Sequence, residues 1–144
     1  MFSDKELEYY NRQLRLDKHG LEGQKKLKNS SVLVIGAGGL GNPVLQYLSA
    51  AGVGTIGIID GDTVEVSNLH RQVMFTFDDI GKPKVEIARN FIEKRNPHIH
   101  IEVYKEYLDN ESGDIIENYD LIIDGSDNFD TRYIVNDLCI LKNK

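Results

Sequence analysis

Cysteine occurs once, at position 139, which excludes an internal disulfide and a four-thiolate zinc site. No apolar run approaches the roughly 20 residues that span a bilayer. Positive charge is also short: 17 Lys and Arg against 23 Asp and Glu leave a net charge of −6. That balance argues against a nucleic-acid partner or a membrane surface. The opening MFSDKELEYY lacks the basic-then-apolar design of a secretory signal, so a cytoplasmic location is expected. His19, His98 and His100 show no metal-ligand spacing, and His70, beside Arg71, is expected to be orienting or exposed. What remains is 144 residues, 40% hydrophobic, enough for one domain with a real core.

Ser3 and Glu6 fit a capping box opening a helix, with Leu7, Tyr10 and Leu14 on one face. Lys25 to Lys28 lie on a second short helix. SVLVIG (31–36) is a continuous apolar run, as expected of a strand covered on both faces. The helix LGNPVLQYLSAAG follows, with Pro43 tolerated in its first turn and Gly52 stopping it. TIGIID (55–60), HIHIEVY (98–104) and YDLIID (119–124) are three further strands. Helices are expected from Pro83 to Arg95, near 109–117, and from Phe129 to Leu141. The alternation predicts an α/β, Rossmann-like, doubly wound parallel sheet. Residues 1–29 form an N-terminal helical arm and 30–144 the nucleotide-binding core, which ends after the fourth strand and its helix.

Gly36, Gly38, Gly39 and Gly41 spell G-x-G-G-x-G between the first strand and its helix. A turn without β-carbons lets backbone approach a phosphate, and the helix start offers unpaired N–H groups. Asp60 stands about 20 residues beyond, where an acid hydrogen-bonds ribose hydroxyls. Both signals suit NAD as well as ATP. With the first and fourth strands as neighbours, the loop after Asp124 faces the glycines.

Three features separate the cofactors. Residues 61–81 form a connection far longer than the usual 2–6 residues and carry Asn68, Arg71 and Gln72. Lys82 and Lys84 flank Pro83 at a helix start, where the dipole prefers acids, so an anionic ligand beside Lys84 is expected. DGSDNFD (124–130) places Asp127 opposite the glycines, with Asp127 or Asn128 free to cap the last helix. A carboxylate there repels phosphates unless Mg²⁺ lies between. Arginine, lysine and a magnesium-bearing aspartate suit a triphosphate better than a nicotinamide cofactor.

The blocks YNRQLRL, VLVIGAGGLGNP, IDGDTVEVSNLHRQ, DIGKPKVE, NPHI and DGSDNFDTR, in this order, resemble the ubiquitin-activating-like adenylyltransferases of the MoeB/ThiF (HesA/MoeB/ThiF) group. The resemblance implies that Gly36, Gly38, Gly39 and Gly41 contact the nucleotide and that Asp60 binds its ribose. It gives Asn68, Arg71, Gln72 and Lys84 to the phosphates, and Asp127 to Mg²⁺ with Asn128 nearby. Arg12 matches an arginine inserted into a neighbouring subunit's ATP site, which implies a homodimer. Arg12, Arg71, Lys84 and Asp127 are the expected catalytic set.

The implied reaction is ATP-dependent adenylylation of the C-terminal glycine carboxylate of a ubiquitin-like sulfur-carrier protein, in molybdopterin or thiamine synthesis. Members of the group continue well past the position of Lys144. Later strands, the groove for the carrier's tail and paired zinc cysteines are expected there, outside this chain. Cys139, beside Val135 and Leu138, is expected to pack in the core. Two other readings stay open: a non-catalytic partner of an activating enzyme, and an NAD-dependent oxidoreductase.

Overall fold

The computed structural model describes every residue from Met1 to Lys144. Strands β1 (Ser31–Ile35), β2 (Thr55–Ile59), β3 (His100–Tyr104) and β4 (Leu121–Asp124) form one parallel sheet in the order β3-β2-β1-β4. β1 therefore pairs with β2 on one side and β4 on the other, and the chain reverses its progress across the sheet at the β1–β4 seam. That reversal is what leaves a crevice above the carboxyl ends of the strands.

Alternation along each strand builds two cores. Val32, Val34, Ile56 and Ile58 point to one face, where they pack with Leu45 of α4 (Gly41–Ala51) and with Val85, Ala88 and Ile92 of α5 (Lys84–Arg95). Leu33, Ile35 and Ile59 point to the other. They meet Ile116 of α6 (Gly113–Glu117), Tyr119, and Val135 and Leu138 of α7 (Phe129–Leu141). Each such fully buried aliphatic side chain contributes about 1.5–3 kcal/mol. Cys139 packs against this second core, and burial pushes its thiol up. It is a packing residue.

Several element ends differ from expectation, each for a local reason. The first helix breaks into α1 (Asp4–Tyr9) and α2 (Asn11–Leu14), before α3 (Gly20–Lys28). Tyr10 sits buried at the break, its hydroxyl accepting from Asn96 Nδ2 at 2.8 Å, while Leu7 remains 37% exposed. Asn96 also donates to Ser49 O, and both Gln13 and Gln24 donate to Ala51 O. The arm thus grips the carbonyl end of α4, a hold that one continuous helical face would not give. β3 starts at His100, not His98, because the Asn96 side chain accepts from His98 N and turns the chain first. Reciprocal bonds between Asp109 and Ser112 hold 109–112 as a turn, so α6 begins only at Gly113. β4 opens at Leu121, since the Asp120 carboxylate is taken by Ser31 N and Oγ.

The expected capping box is present: Ser3 Oγ accepts from Glu6 N, and the Glu6 carboxylate accepts from Ser3 N. Glu6 is buried and also accepts from Lys28 Nζ. Burial alone would raise its pKa, but Lys28 and the Ser3 hydrogen bonds outweigh it and hold the carboxyl below the usual glutamate value. A depressed folded pKa stabilises above the unfolded value, near 4.5, and that contribution is lost as pH falls through the folded value. Protection factors of the α1 amides, taken relative to intrinsic exchange at each pH, should therefore fall on acidification below about pH 4.5. Glu6→Gln should expose those amides at neutral pH and flatten the dependence.

Candidate functional site

A cavity of about 600 Å³ opens above the carboxyl ends of β1, β2 and β4, within the roughly 300–1,000 Å³ usual for small-molecule sites. Its apolar floor comes from Ile35, Ile59 and Leu108. The glycine turn forms one wall. Gly36 carries φ +87°, a backbone state that ordinary side chains disfavour, and so swings the chain away from β1 toward α4. The N–H groups of Gly38, Gly39 and Leu40 donate to no backbone carbonyl. Three free donors in succession at a helix start are a ready anion cradle.

Asp60, 9% exposed, closes the end of β2. Its Oδ2 accepts from Ala37 N at 2.7 Å and its Oδ1 from Asp62 N at 2.8 Å. The carboxylate thereby locks the glycine turn to the strand beside it, and each oxygen keeps a further lone pair for a ligand.

The long connection after β2 is anchored, not loose. Val64, Met74 and Phe75 are buried in the first core. Asn42, fully buried at the start of α4, accepts from Met74 N at 2.8 Å and donates to Ala37 O at 3.1 Å. That clamp sets the connection over the glycines, where Arg71 packs its methylenes against Gly39 and Gln72 reaches Gly38. Arg71 Nη1 is braced on Ser67 O at 2.9 Å. Asn68 is buried, its Oδ1 accepting from Glu65 N at 3.2 Å. Gln72 is 2% exposed, yet its Oε1 has no hydrogen-bond partner. Ser126 Oγ, across the cavity, is buried and equally unpartnered. Such orphaned groups cost about 1–3 kcal/mol each, and a polar ligand relieves that cost.

Lys84 departs from expectation in an informative way. Pro83 is the cap of α5 and Lys84 its first residue. Its clash with the helix dipole is compensated locally, because Lys84 Nζ lies 2.8 Å from Asp62 Oδ2. Lys82 similarly has Asp79, at 3.6 Å. Asp62 also accepts from the Tyr107 hydroxyl. Burial works to raise the Asp62 pKa, but Lys84 and Tyr107 overcome it and hold the carboxyl below the usual aspartate range.

After β4, Asn128 caps α7, accepting from Thr131 N at 2.9 Å. Asp127 is exposed on the cavity lining, and its sole hydrogen bond is a long one, 3.5 Å, from Asn128 Nδ2. The lining holds four acids (Asp60, Asp62, Glu106 and Asp127) against two cations, Arg71 and Lys84. A polyphosphate entering such a surface needs a further cation. No group of three or more His, Cys, Asp or Glu side chains is preassembled to hold a metal. Ligand oxygens must therefore complete any magnesium shell around Asp127.

The cavity thus gathers Gly36, Gly38, Gly39, Asp60, Asn68, Arg71, Gln72, Lys84, Asp127 and Asn128. Two expected residues lie elsewhere. Gly41 does not line it: a β-carbon there would stand 1.8 Å from Gly36 O, so this glycine closes the turn by backbone contact. Arg12 is exposed on α2 and is absent from the lining. Sequence reasoning missed Asn42, Asp62, Tyr107 and Ser126. Of these, Asn42, Asp62 and Ser126 lay inside the quoted motif blocks, and only Tyr107 lay outside them.

The description "ThiF family" fits a family model matched by residues 10–144. The chain belongs to the ThiF family. It is 51% identical to the sulfur carrier protein adenylyltransferase of Thermus thermophilus, over 99% of this chain and 53% of that protein. Identity is again 51% to the adenylyltransferase and sulfurtransferase UBA4 of Candida albicans, covering 99% of this chain and 33% of the relative. The chain therefore spans about a third to a half of the curated relatives it matches. Among solved structures, Escherichia coli MccB with AMPCPP and the selenomethionine form of MccA superposes with a TM-score of 0.84. There the identity is 31%, over 94% of this chain and 41% of the other.

Proposed function

We propose that this ThiF-family chain binds Mg²⁺-ATP in the cavity and adenylylates the C-terminal glycine carboxylate of a ubiquitin-like sulfur-carrier protein. The observation that carries the reading is the convergence of Arg71, Lys84 and Asp127 on the glycine turn with its free N–H groups. Two further facts support it: the Thermus relative is named for this activity, and the MccB structure was solved with an ATP analogue.

In the reaction a carboxylate oxygen of the carrier attacks the α-phosphorus of ATP, and the bond to the bridging oxygen breaks. An acyl-adenylate forms and pyrophosphate leaves with its charge. The chain's part is positioning and charge neutralisation, with no side-chain nucleophile. The free N–H groups of Gly38, Gly39 and Leu40 cradle phosphate oxygens, and the remaining lone pairs of Asp60 take the ribose. Arg71 and Lys84 offset charge on the phosphates. Magnesium held by Asp127 and phosphate oxygens would supply the remaining positive charge. Arg12 serves the cavity of a second copy, in a homodimer.

ATP–pyrophosphate exchange tests this. Labelled pyrophosphate should enter ATP only when a carrier with a free Gly-Gly terminus is present, and NADH should not bind. Exchange without carrier dependence, or none beside tight NADH binding, would replace the reading with another.

A further inference from the structure

Lys84 is 5% exposed and begins a helix, two conditions that disfavour an ammonium. Its one ion-pair partner is Asp62, at 2.8 Å. Asp62 is itself held from a third element. Tyr107, in the segment after β3, lies against Gly61 and gives its hydroxyl to Asp62 Oδ1 at 2.5 Å. Lys84, Asp62 and Tyr107 line the large cavity and also a second one of about 340 Å³ behind it, bounded by Thr63, Glu65 and Asn68. The trio is thus a partition that can be reached from both sides.

We infer that Asp62, braced by Tyr107, is the positioning residue that fixes the Lys84 ammonium in the partition wall, facing the nucleotide cavity. This rests on the ATP reading for its purpose, but not for its geometry. Without the tether a flexible lysine stem is free to swing toward Glu65 in the smaller cavity. Without the carboxylate the buried ammonium also loses its counter-charge. The other charged groups around the partition do not replace it. Asp60 is engaged by Ala37 and Asp62 backbone, Glu106 and Asp127 make no ion pair with Lys84, and Arg71 is a like charge. Asp62 holds its negative charge well into acid, for the reasons given above.

The experiment compares the native chain with Asp62→Asn, Asp62→Glu and Tyr107→Phe by two readouts. The first needs no nucleotide: side-chain NMR of the Lys84 ammonium, assigned by its loss in Lys84→Arg. Asp62→Asn should speed solvent exchange of the Lys84 ammonium protons at least about tenfold and move its resonances toward those of a free lysine, because the charge-assisted bond that holds them is gone. Tyr107→Phe should give a smaller change in the same direction, and it carries the test if Asp62→Asn fails to fold. Superimposable ammonium signals in all variants overturn the inference. The second readout is Mg²⁺-ATP affinity at neutral pH. Asp62→Asn should weaken it roughly tenfold, the scale of losing one charge-assisted contact, and Asp62→Glu should restore it. Equal affinities in the native chain and Asp62→Asn again overturn it. If the native chain ignores ATP while the Lys84 ammonium signal changes as expected, the ATP reading falls and the tether stands.

Discussion

Asp127→Ala should lower carrier-dependent ATP–pyrophosphate exchange by at least about 10²-fold, the scale of losing one electrostatic stabiliser of a reaction. The carboxylate stands exposed on the lining with only a 3.5 Å contact to Asn128, so its removal breaks nothing that holds the fold. Stability should stay within about 0.5 kcal/mol, as for surface substitutions generally. With the acid gone, no other carboxylate of that loop lines the cavity to bring magnesium to the phosphates. ATP affinity should then lose its dependence on magnesium. Exchange rates and calorimetry on the same sample check both parts. Retained exchange would remove Asp127 from the chemistry.

Gly41→Ala is expected to be the most damaging single methyl group in the turn. Its β-carbon would stand 1.8 Å from Gly36 O and 2.8 Å from Gly36 C, both backbone atoms. Gly36 has no freedom to yield, since it holds φ +87° and is packed against Gly125 O. The turn must open, which tears α4 from β1 and moves the free N–H groups out of register. The cost should exceed about 3 kcal/mol, beyond ordinary overpacking, and thermal unfolding should fall by roughly 10 °C. Gly38→Ala is the contrast. Its β-carbon meets only Gln72 Nε2, at 3.7 Å, so it should fold normally and weaken ATP by crowding the cradle. Melting curves and ATP titrations of the two variants separate these roles.

What could be read in advance was what local pattern encodes. The glycine turn, Asp60, Lys84 and Asp127 each sit at or beside a strand end or helix start whose position follows from hydrophobic periodicity, and Arg71 lies in a connection whose length marks it out. Their convergence follows from the parallel topology. Three of the residues that were missed, Asn42, Asp62 and Tyr107, owe their roles to partners far along the chain. Tyr107 meets Asp62 across 45 positions, and Asn42 meets Met74 across 32. Neither pairing leaves a trace in spacing. The same holds for the break at Tyr10, caused by Asn96 from another element. Lys84 is the instructive case: its misfit with the helix dipole was legible as an anomaly, but its neutralising partner was not. The anomaly pointed to a ligand, while the fold supplies Asp62 first.

Calorimetric titration of the native chain with ATP, with and without magnesium, and with NADH, addresses the central claim most directly. The account predicts a single ATP site whose affinity collapses on chelation of magnesium and in Arg71→Ala and Lys84→Ala, with no NADH heat. Magnesium-independent ATP binding that both substitutions leave intact would contradict it.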